Sequence, residues 1–321
     1  MLKISKEQAT SFYQTMCNIR CFEEAIEKNF LAGKIPGFVH LYIGEEAIAT
    51  GVCSALQKTD YIESTHRGHG HCIAKGADIN RMMAEIFGKR EGLCKGKGGS
   101  MHIADFSVGM LGANGVVGGG YNLAVGAAFA TKMQGKDNVS VVFFGDGASN
   151  RGTFHEAANM AAIWKLPVIF VCEMNCWAST TPYRTTTSVD NISDRAQGYG
   201  MPYEIVDGND VEAVYKATCK AVDRARKGEG PTFIECKTYR IKGHFVGDPE
   251  MYRTRAEVKK VFDETDPLKK FREKYSSIGL FTEEELAALM QKAKKTIEDA
   301  LEYAEKGNYP AESELYVDLY R

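Results

Sequence analysis

The sequence lacks a long apolar run: no stretch of about 18 apolar residues occurs, which leaves no candidate membrane span. It also lacks a basic run, and a net charge of −2 over 321 residues offers no general nucleic-acid surface. No C-x-x-C pair occurs among the nine cysteines, which argues against a zinc ribbon or dithiol redox centre and points to reduced, mostly buried thiols. Low-complexity tracts are missing. The opening MLKISKEQATSFYQTM has neither the apolar core of a secretion signal nor the arginine-rich character of a transit peptide, so a cytoplasmic location is expected. What is present, 44% hydrophobic and 26% charged residues, suffices for one large core or two smaller ones.

The stretch Val139 to Trp177 carries the clearest pattern. Val139 to Phe144 is an almost continuous apolar run, as expected of a parallel-sheet strand buried on both faces, and it stops at Gly145-Asp146-Gly147. Asn150 is positioned to cap a following helix whose apolar stripe is Phe154, Ala157, Ala158, Ala161, Ala162 and Trp164, ended by Leu166-Pro167. Val168 to Cys172 is a second strand, leading to Glu173-Met174-Asn175. This order is a βαβ unit, so the two strands run parallel and Asp146 and Asn175 share one sheet edge. Neighbouring strands lie about 4.8 Å apart, so a carboxylate and an amide oxygen there can reach one cation. Oxygen ligands suit Mg²⁺, and free N–H groups of a helix opening near Ala148 suit a diphosphate. Two plainer readings compete: an ordinary acidic turn, and a dinucleotide fingerprint in which Asn150 replaces the third glycine.

Around this unit, residues 5–33, 45–56, 80–88, 121–133 and 211–226 read as helices, and Tyr61 onward, Tyr203 to Val206 and Thr232 to Tyr239 as strands. His66, His69 and His71 form H-x-x-H-x-H without a carboxylate or cysteine spaced to complete a metal set; ligand-facing and locally hydrogen-bonded histidines fit better. Gly92 to Met101 is a glycine-rich basic loop that departs from a P-loop, since Gly98 follows Lys97; anion contact and a solvated loop both fit. Five glycines between Gly112 and Gly120 imply close backbone approach to a ligand or another helix. Ala178 to Arg195 is polar and aperiodic, consistent with a surface crossing. Arg240 to Pro249 is a long loop on the Asp146 edge, and from Arg255 to the end the chain is helical and charged, with Thr282 and Glu285 as a capping box.

GDG followed by Asn175, 29 residues after Asp146, resembles the thiamine-diphosphate motif, although Met174 stands where that motif has its first Asn. GFVHLYIGEEA, THRGHGH, GKGGSMHIAD, GANGVVGGG and YRIKGHFVGDP extend the resemblance to nearly the whole chain. The family is that of α chains of the first component of 2-oxo acid dehydrogenase complexes, and HRGHGHCIAKG and GHFVGD look most like its acetoin dehydrogenase branch. The resemblance implies an α/β fold over residues 1–321: a doubly wound, mostly parallel sheet flanked by helices, with helical N- and C-terminal extensions, the latter from about residue 255. It implies thiamine diphosphate and Mg²⁺ as cofactors. Asp146, Asn175 and the Trp177 carbonyl would hold the metal; Arg67, Gly147, Ala148 and His244 the diphosphate; Gly115 and Val117 the aminopyrimidine; His40, His66 and His244 would line the substrate side as catalytic candidates.

The implied reaction is oxidative cleavage of acetoin to acetaldehyde and an acetyl group passed to lipoamide of an acyltransferase partner. A separate β chain would complete the site in a heterotetramer of two α and two β chains. Pyruvate or a branched-chain 2-oxo acid is the alternative substrate. Two readings from other classes are a Mg²⁺-dependent phosphate-ester enzyme using Asp146 alone, and a noncatalytic subunit, which Met174 would favour.

Overall fold

A computed structural model describes residues 4–319; residues 1–3 and 320–321 of the expected 1–321 unit lie outside the described residues. The amino-terminal half comprises α1 (Lys6–Leu31), α2 (Glu46–Ser54), β1 (Tyr61–Glu63), α3 (His69–Lys75), α4 (Ile79–Ile86), β2 (Met110–Gly112), α5 (Gly120–Met133), β3 (Ser140–Gly145) and α6 (Gly152–Ile163). The remainder comprises β4 (Val168–Met174), β5 (Trp177–Ala178), β6 (Thr181–Pro182), β7 (Tyr203–Asp207), α7 (Val211–Arg226), β8 (Thr232–Lys237), α8 (Arg255–Thr265), α9 (Pro267–Ser277) and α10 (Glu283–Lys306).

Six strands form one parallel sheet in the order β2-β1-β3-β4-β8-β7, and β5 and β6 make a separate short antiparallel hairpin. Alternate side chains of each central strand enter opposite cores. Val141, Phe143, Ile169, Val171, Ile234 and Cys236 pack with α1, α2 and α7, whereas Val142, Phe144, Phe170, Cys172 and Phe233 pack with α5 and α6. Burial of both faces explains why these strands read as continuous apolar runs. Burying one such side chain is worth about 1.5–3 kcal/mol, so the two cores fix the sheet and leave its strand ends for function. Met174 falls in the second core, at 3% exposure, with its side chain in an apolar slot.

The carboxy-terminal helices join the first core through Leu286, Ala293, Ile297, Ala300 and Ala304, with α10 packed on α1 and α4. The expected capping box is present: Glu285 N–H donates to Thr282 Oγ1 at 3.2 Å and Thr282 N–H to Glu285 Oε2 at 2.9 Å. No helix among the described residues is long and apolar enough to cross a membrane.

Four local expectations change. Asn150 does not cap a helix: it ends a 3-10 turn, α6 starts at Gly152, and Asn150 Oδ1 accepts from Arg195 Nη2 at 2.7 Å. Met110–Gly112, read within a glycine-dense loop, is a strand between β1 and solvent. In the segment from Ala178 to Arg195, Tyr183 and Ile192 are buried against the second core. The loop from Gly92 wraps a carboxylate instead of waiting for an anion. Buried Glu85 accepts from the N–H groups of Cys94, Gly96, Gly98 and Gly99 at 2.8–3.1 Å.

Candidate active site

Every predicted element of the site except His40, which lies in the loop between α1 and α2, follows the carboxyl end of a strand of the sheet. The chain passes from β1 outward to β2, then returns to place β3 on the other side of β1, which makes a topological switch point. A cavity of about 300 Å³ opens there, bordered by the segments after β1, β2, β3, β4 and β8.

Gly145 pairs with Glu173 across β3 and β4, so Asp146 and Asn175 emerge side by side. Asp146 is 2% exposed and its Oδ2 has no hydrogen-bond partner; burial pushes its carboxyl up to about 6. The Asn175 amide is oriented by Glu45, whose Oε1 accepts from Asn175 Nδ2 at 3.0 Å. Its oxygen is thereby left for another donor or a cation, with only the Trp177 N–H at 3.4 Å. Burial and the nearby Glu173 carboxylate push the Glu45 carboxyl up. Cys176, at φ 74°, lets the chain double back so that Trp177 follows Asn175 into the hairpin. The Trp177 carbonyl already accepts from Arg240 Nη1 at 3.2 Å, which occupies one of its two lone pairs.

Opposite the carboxylate lie two buried guanidinium groups. Arg67 donates to the carbonyls of Leu41 at 2.9 Å and His244 at 2.7 Å, and burial draws its pKa down to about 10. Arg240 donates to the carbonyls of Trp177 and Ser179 and to Tyr252 Oη. Neither forms an ion pair with a carboxylate among the described residues. An orphaned carboxylate oxygen beside two guanidinium groups bonded only to neutral acceptors fits a cation carrying a polyanion; a neutral ligand would leave these charges costly.

The turn after Asp146 is a tight one. Ser149, Asn150 and Arg151 N–H groups close it onto the carbonyls of Asp146, Gly147 and Ala148, so the preceding Gly147 and Ala148 N–H groups are not used in closing it. Gly147 is required because a Cβ there would sit 2.6 Å from Ala178 Cβ. The N–H groups expected to meet a diphosphate therefore belong to a 3-10 turn and its cap, and the α6 N-terminus lies four residues further on. Val117 lines the cavity at 46% exposure, whereas Gly115 lies in the same exposed turn but off the cavity wall.

His66 and His244 line the cavity and His40 packs edge-on against both, with ring centroids 4.6 and 5.1 Å away. Burial, then the Arg67 charge, draws His40 down to about 3 and His244 to about 4, and His66 well below its ordinary value. All three are neutral imidazoles near pH 7. The other two histidines of the triplet make local bonds, His69 to Glu23 at 3.0 Å and Ser100 at 2.9 Å, and His71 to Glu173 at 2.9 Å and Ser64 at 2.7 Å.

Sequence reasoning missed Arg240 as a site residue, although it opens the long loop after β8. It also missed the Ser64–His71–Glu173 chain beneath the cavity, to which Tyr42 Oη adds a bond on Glu173. Its members lie 7 and 102 residues apart, a separation that no motif spans.

A parallel α/β sheet with a charged cavity at its switch point is the setting in which such sheets take phosphorylated cofactors. Residues 14–313 match the model of the dehydrogenase E1 component, and the chain belongs to that family of thiamine-diphosphate-dependent oxidoreductases. Among relatives, it is 52% identical to the α subunit of acetoin:2,6-dichlorophenolindophenol oxidoreductase of Bacillus subtilis (strain 168), over 99% of this chain and 95% of that one. Identity to the corresponding Cupriavidus necator subunit is 48%, over 99% and 96%. The pyruvate dehydrogenase E1 component α subunit of Rhizobium meliloti (strain 1021) is 41% identical, over 99% and 91%.

Proposed function

We propose that this chain is the diphosphate-binding α subunit of a cytoplasmic enzyme that uses thiamine diphosphate and Mg²⁺ to cleave acetoin to acetaldehyde and an acetyl group. The acetyl group passes to lipoamide of an acyltransferase partner. The carrying observation is the cavity's charge pattern: Arg67 and Arg240 without carboxylate partners, facing the orphaned Asp146 oxygen. Asp146, the Asn175 amide oxygen and the second lone pair of the Trp177 carbonyl would hold Mg²⁺. Arg67, His244 and the Gly147 and Ala148 N–H groups would hold the diphosphate, and the Gly115 and Val117 backbone the aminopyrimidine. Bound thiamine diphosphate supplies a nucleophilic carbon for the substrate ketone. The chain's own part is to neutralise the diphosphate, orient it, and hold or move protons on the substrate oxygens at His40, His66 and His244.

Acetoin is neutral, so its hydroxyl and carbonyl need an acceptor and a donor and no counter-charge. Neutral imidazoles supply both. The similarity to two acetoin-oxidising α subunits favours this substrate over a 2-oxo acid. The similarity to a pyruvate dehydrogenase α subunit keeps pyruvate as the alternative. The names of these relatives as α subunits, and an exposed apolar face including Leu123, Met133 and Ile163 at 55–70% exposure, support a β partner in a heterotetramer. All nine cysteines are free, in keeping with a reducing compartment.

The test is kcat/KM for acetoin, pyruvate and 2-oxoisovalerate with the assembled α–β complex and an artificial electron acceptor. Acetoin should be preferred by about 10²-fold or more, the cost of stranding a polar group in a mismatched site. A preference for pyruvate would transfer the chain to the alternative, and turnover by the α chain alone would remove the split site.

A further inference from the structure

His40, His66 and His244 converge more closely than hydrogen bonding to a substrate requires. Each offers a ring nitrogen, and these nitrogens lie within 4.8 Å of one another. The ring centroids are 4.6, 5.1 and 5.5 Å apart, with the planes inclined at 63–78°. Three imidazoles bound to one tetrahedral Zn²⁺, with Zn–N about 2.0–2.1 Å, would place their centroids roughly 5 Å apart. The ring centroids already match this arrangement, and ligation requires the rings to turn so that nitrogens now within 4.8 Å of one another close to about 3.3 Å.

A second observation is the unspent bonding capacity of these rings. His40 is 7% exposed and its Nδ1 is buried without a partner. Among the described residues, the only hydrogen-bond contact of these ring nitrogens is between His244 Nδ1 and Arg67 Nη2 at 3.4 Å, beyond a good hydrogen bond. The His244 backbone is pinned on both sides, its N–H on Asp248 Oδ2 at 2.7 Å and its carbonyl on Arg67. That leaves the ring free to turn while its base is fixed.

We propose that His40, His66 and His244 form a site for a transition-metal dication, Zn²⁺ or Co²⁺, whose fourth position opens into the cofactor cavity. Three neutral nitrogen ligands with one open position match zinc's preferences, whereas Mg²⁺ requires oxygen and does not compete. Arg67 and Arg240 oppose a dication. A bound diphosphate offsets their charge, so the cofactor-loaded enzyme is the form that takes the metal. Occupancy ties up the three groups assigned above to substrate protons, and the metal thereby inhibits in competition with the hydroxyketone. The inhibitory part and the requirement for bound cofactor rest on the proposed function; the three-histidine ligand set rests on geometry.

The experiment uses the assembled α–β complex, cleared of adventitious metal and loaded with thiamine diphosphate and excess Mg²⁺. Titration with Co²⁺ should give one site per α chain, with the visible bands of tetrahedral cobalt and without the ultraviolet thiolate band that cysteine ligands would produce. Stoichiometric Zn²⁺ should displace it. His66→Ala and His244→Ala should each weaken Co²⁺ binding by at least about 10-fold while retaining the wild-type melting transition; His66→Tyr serves if the alanine variant does not fold. Absence of tetrahedral bands, appearance of the thiolate band, or a site that survives both substitutions would overturn the metal site. Zn²⁺ should raise KM for acetoin with kcat little changed, reversibly on addition of a zinc-selective chelator. A normal cobalt spectrum with KM unaffected would retain the metal site and refute the placement of these histidines at the substrate.

Discussion

Two buried charge clusters sit on the same sheet framework and are treated in opposite ways. Glu85, fully buried, is enclosed by four backbone N–H groups from the loop after α4. Asp60, at the amino end of β1, likewise accepts from Gln57 and Val139 N–H at 2.7 and 2.8 Å and from Arg226 at 2.6 Å. At the carboxyl end, Arg67 and Arg240 have no anionic partner among the described residues and Asp146 keeps a bare oxygen. Desolvation costs the same kind of free energy in both places, but only the first cluster recovers it within the chain. A satisfied buried charge holds the fold; an unsatisfied one marks where a ligand must complete the electrostatics.

This contrast makes opposite demands on single substitutions. Asp146→Ala should lower Mg²⁺-dependent thiamine diphosphate affinity by about 10³-fold or more, since it removes the one charged side chain proposed to hold the cation. The cofactor-free protein should meanwhile be no less stable, and more stable by about 1–3 kcal/mol above pH 6, because a strained carboxylate has gone. Calorimetry on the assembled complex reads the first effect and urea melts the second; unchanged cofactor affinity would end the metal assignment. Glu85→Ala should do the reverse. Stranding four N–H groups should cost about 3–5 kcal/mol of stability, while any residual folded enzyme binds cofactor normally. A variant as stable as the parent would show that water or loop rearrangement replaces the carboxylate.

The same contrast explains what the sequence made legible. Asp146, Asn175 and the intervening βαβ unit follow from local periodicity, because strand and helix repeats are written within a few residues. His244 came only through resemblance to a family. The Glu85 cradle was invisible, since nothing in GLCKGKGG says that its glycines serve a carboxylate on the preceding helix: a Cβ at Gly92 would lie 2.6 Å from Glu85 Cα. Its lysines suggested an anion outside the chain, but Lys95 instead pairs with Asp318 at 2.7 Å. Three-residue β2 is too short to show a period, and Asn150 failed as a cap because a 3-10 turn intervenes before α6.

Glu63 offers the smallest and most discriminating test. It ends β1, is 2% exposed, and its Oε2 has no partner; Gly120 of α5 lacks the Cβ that would strike Glu63 Cγ at 2.7 Å. It therefore belongs with the unsatisfied groups, though no role in the proposed reaction calls on it. Burial alone pushes its carboxyl up to about 8 from an ordinary 4.5. In the unfolded chain the group ionises from 4.5 upward, while in the fold it keeps its proton until about 8. Its contribution to stability is thus fully present below 4.5 and is lost progressively as pH rises through 8. Glu63→Gln keeps the shape and cannot ionise. The variant should match the parent within about 1 kcal/mol near pH 5 and exceed it by about 4 kcal/mol near pH 8, as read from urea midpoints. Parallel stability curves at all pH values would mean that water or a partner group already satisfies this carboxylate, moving it to the paired side of the comparison.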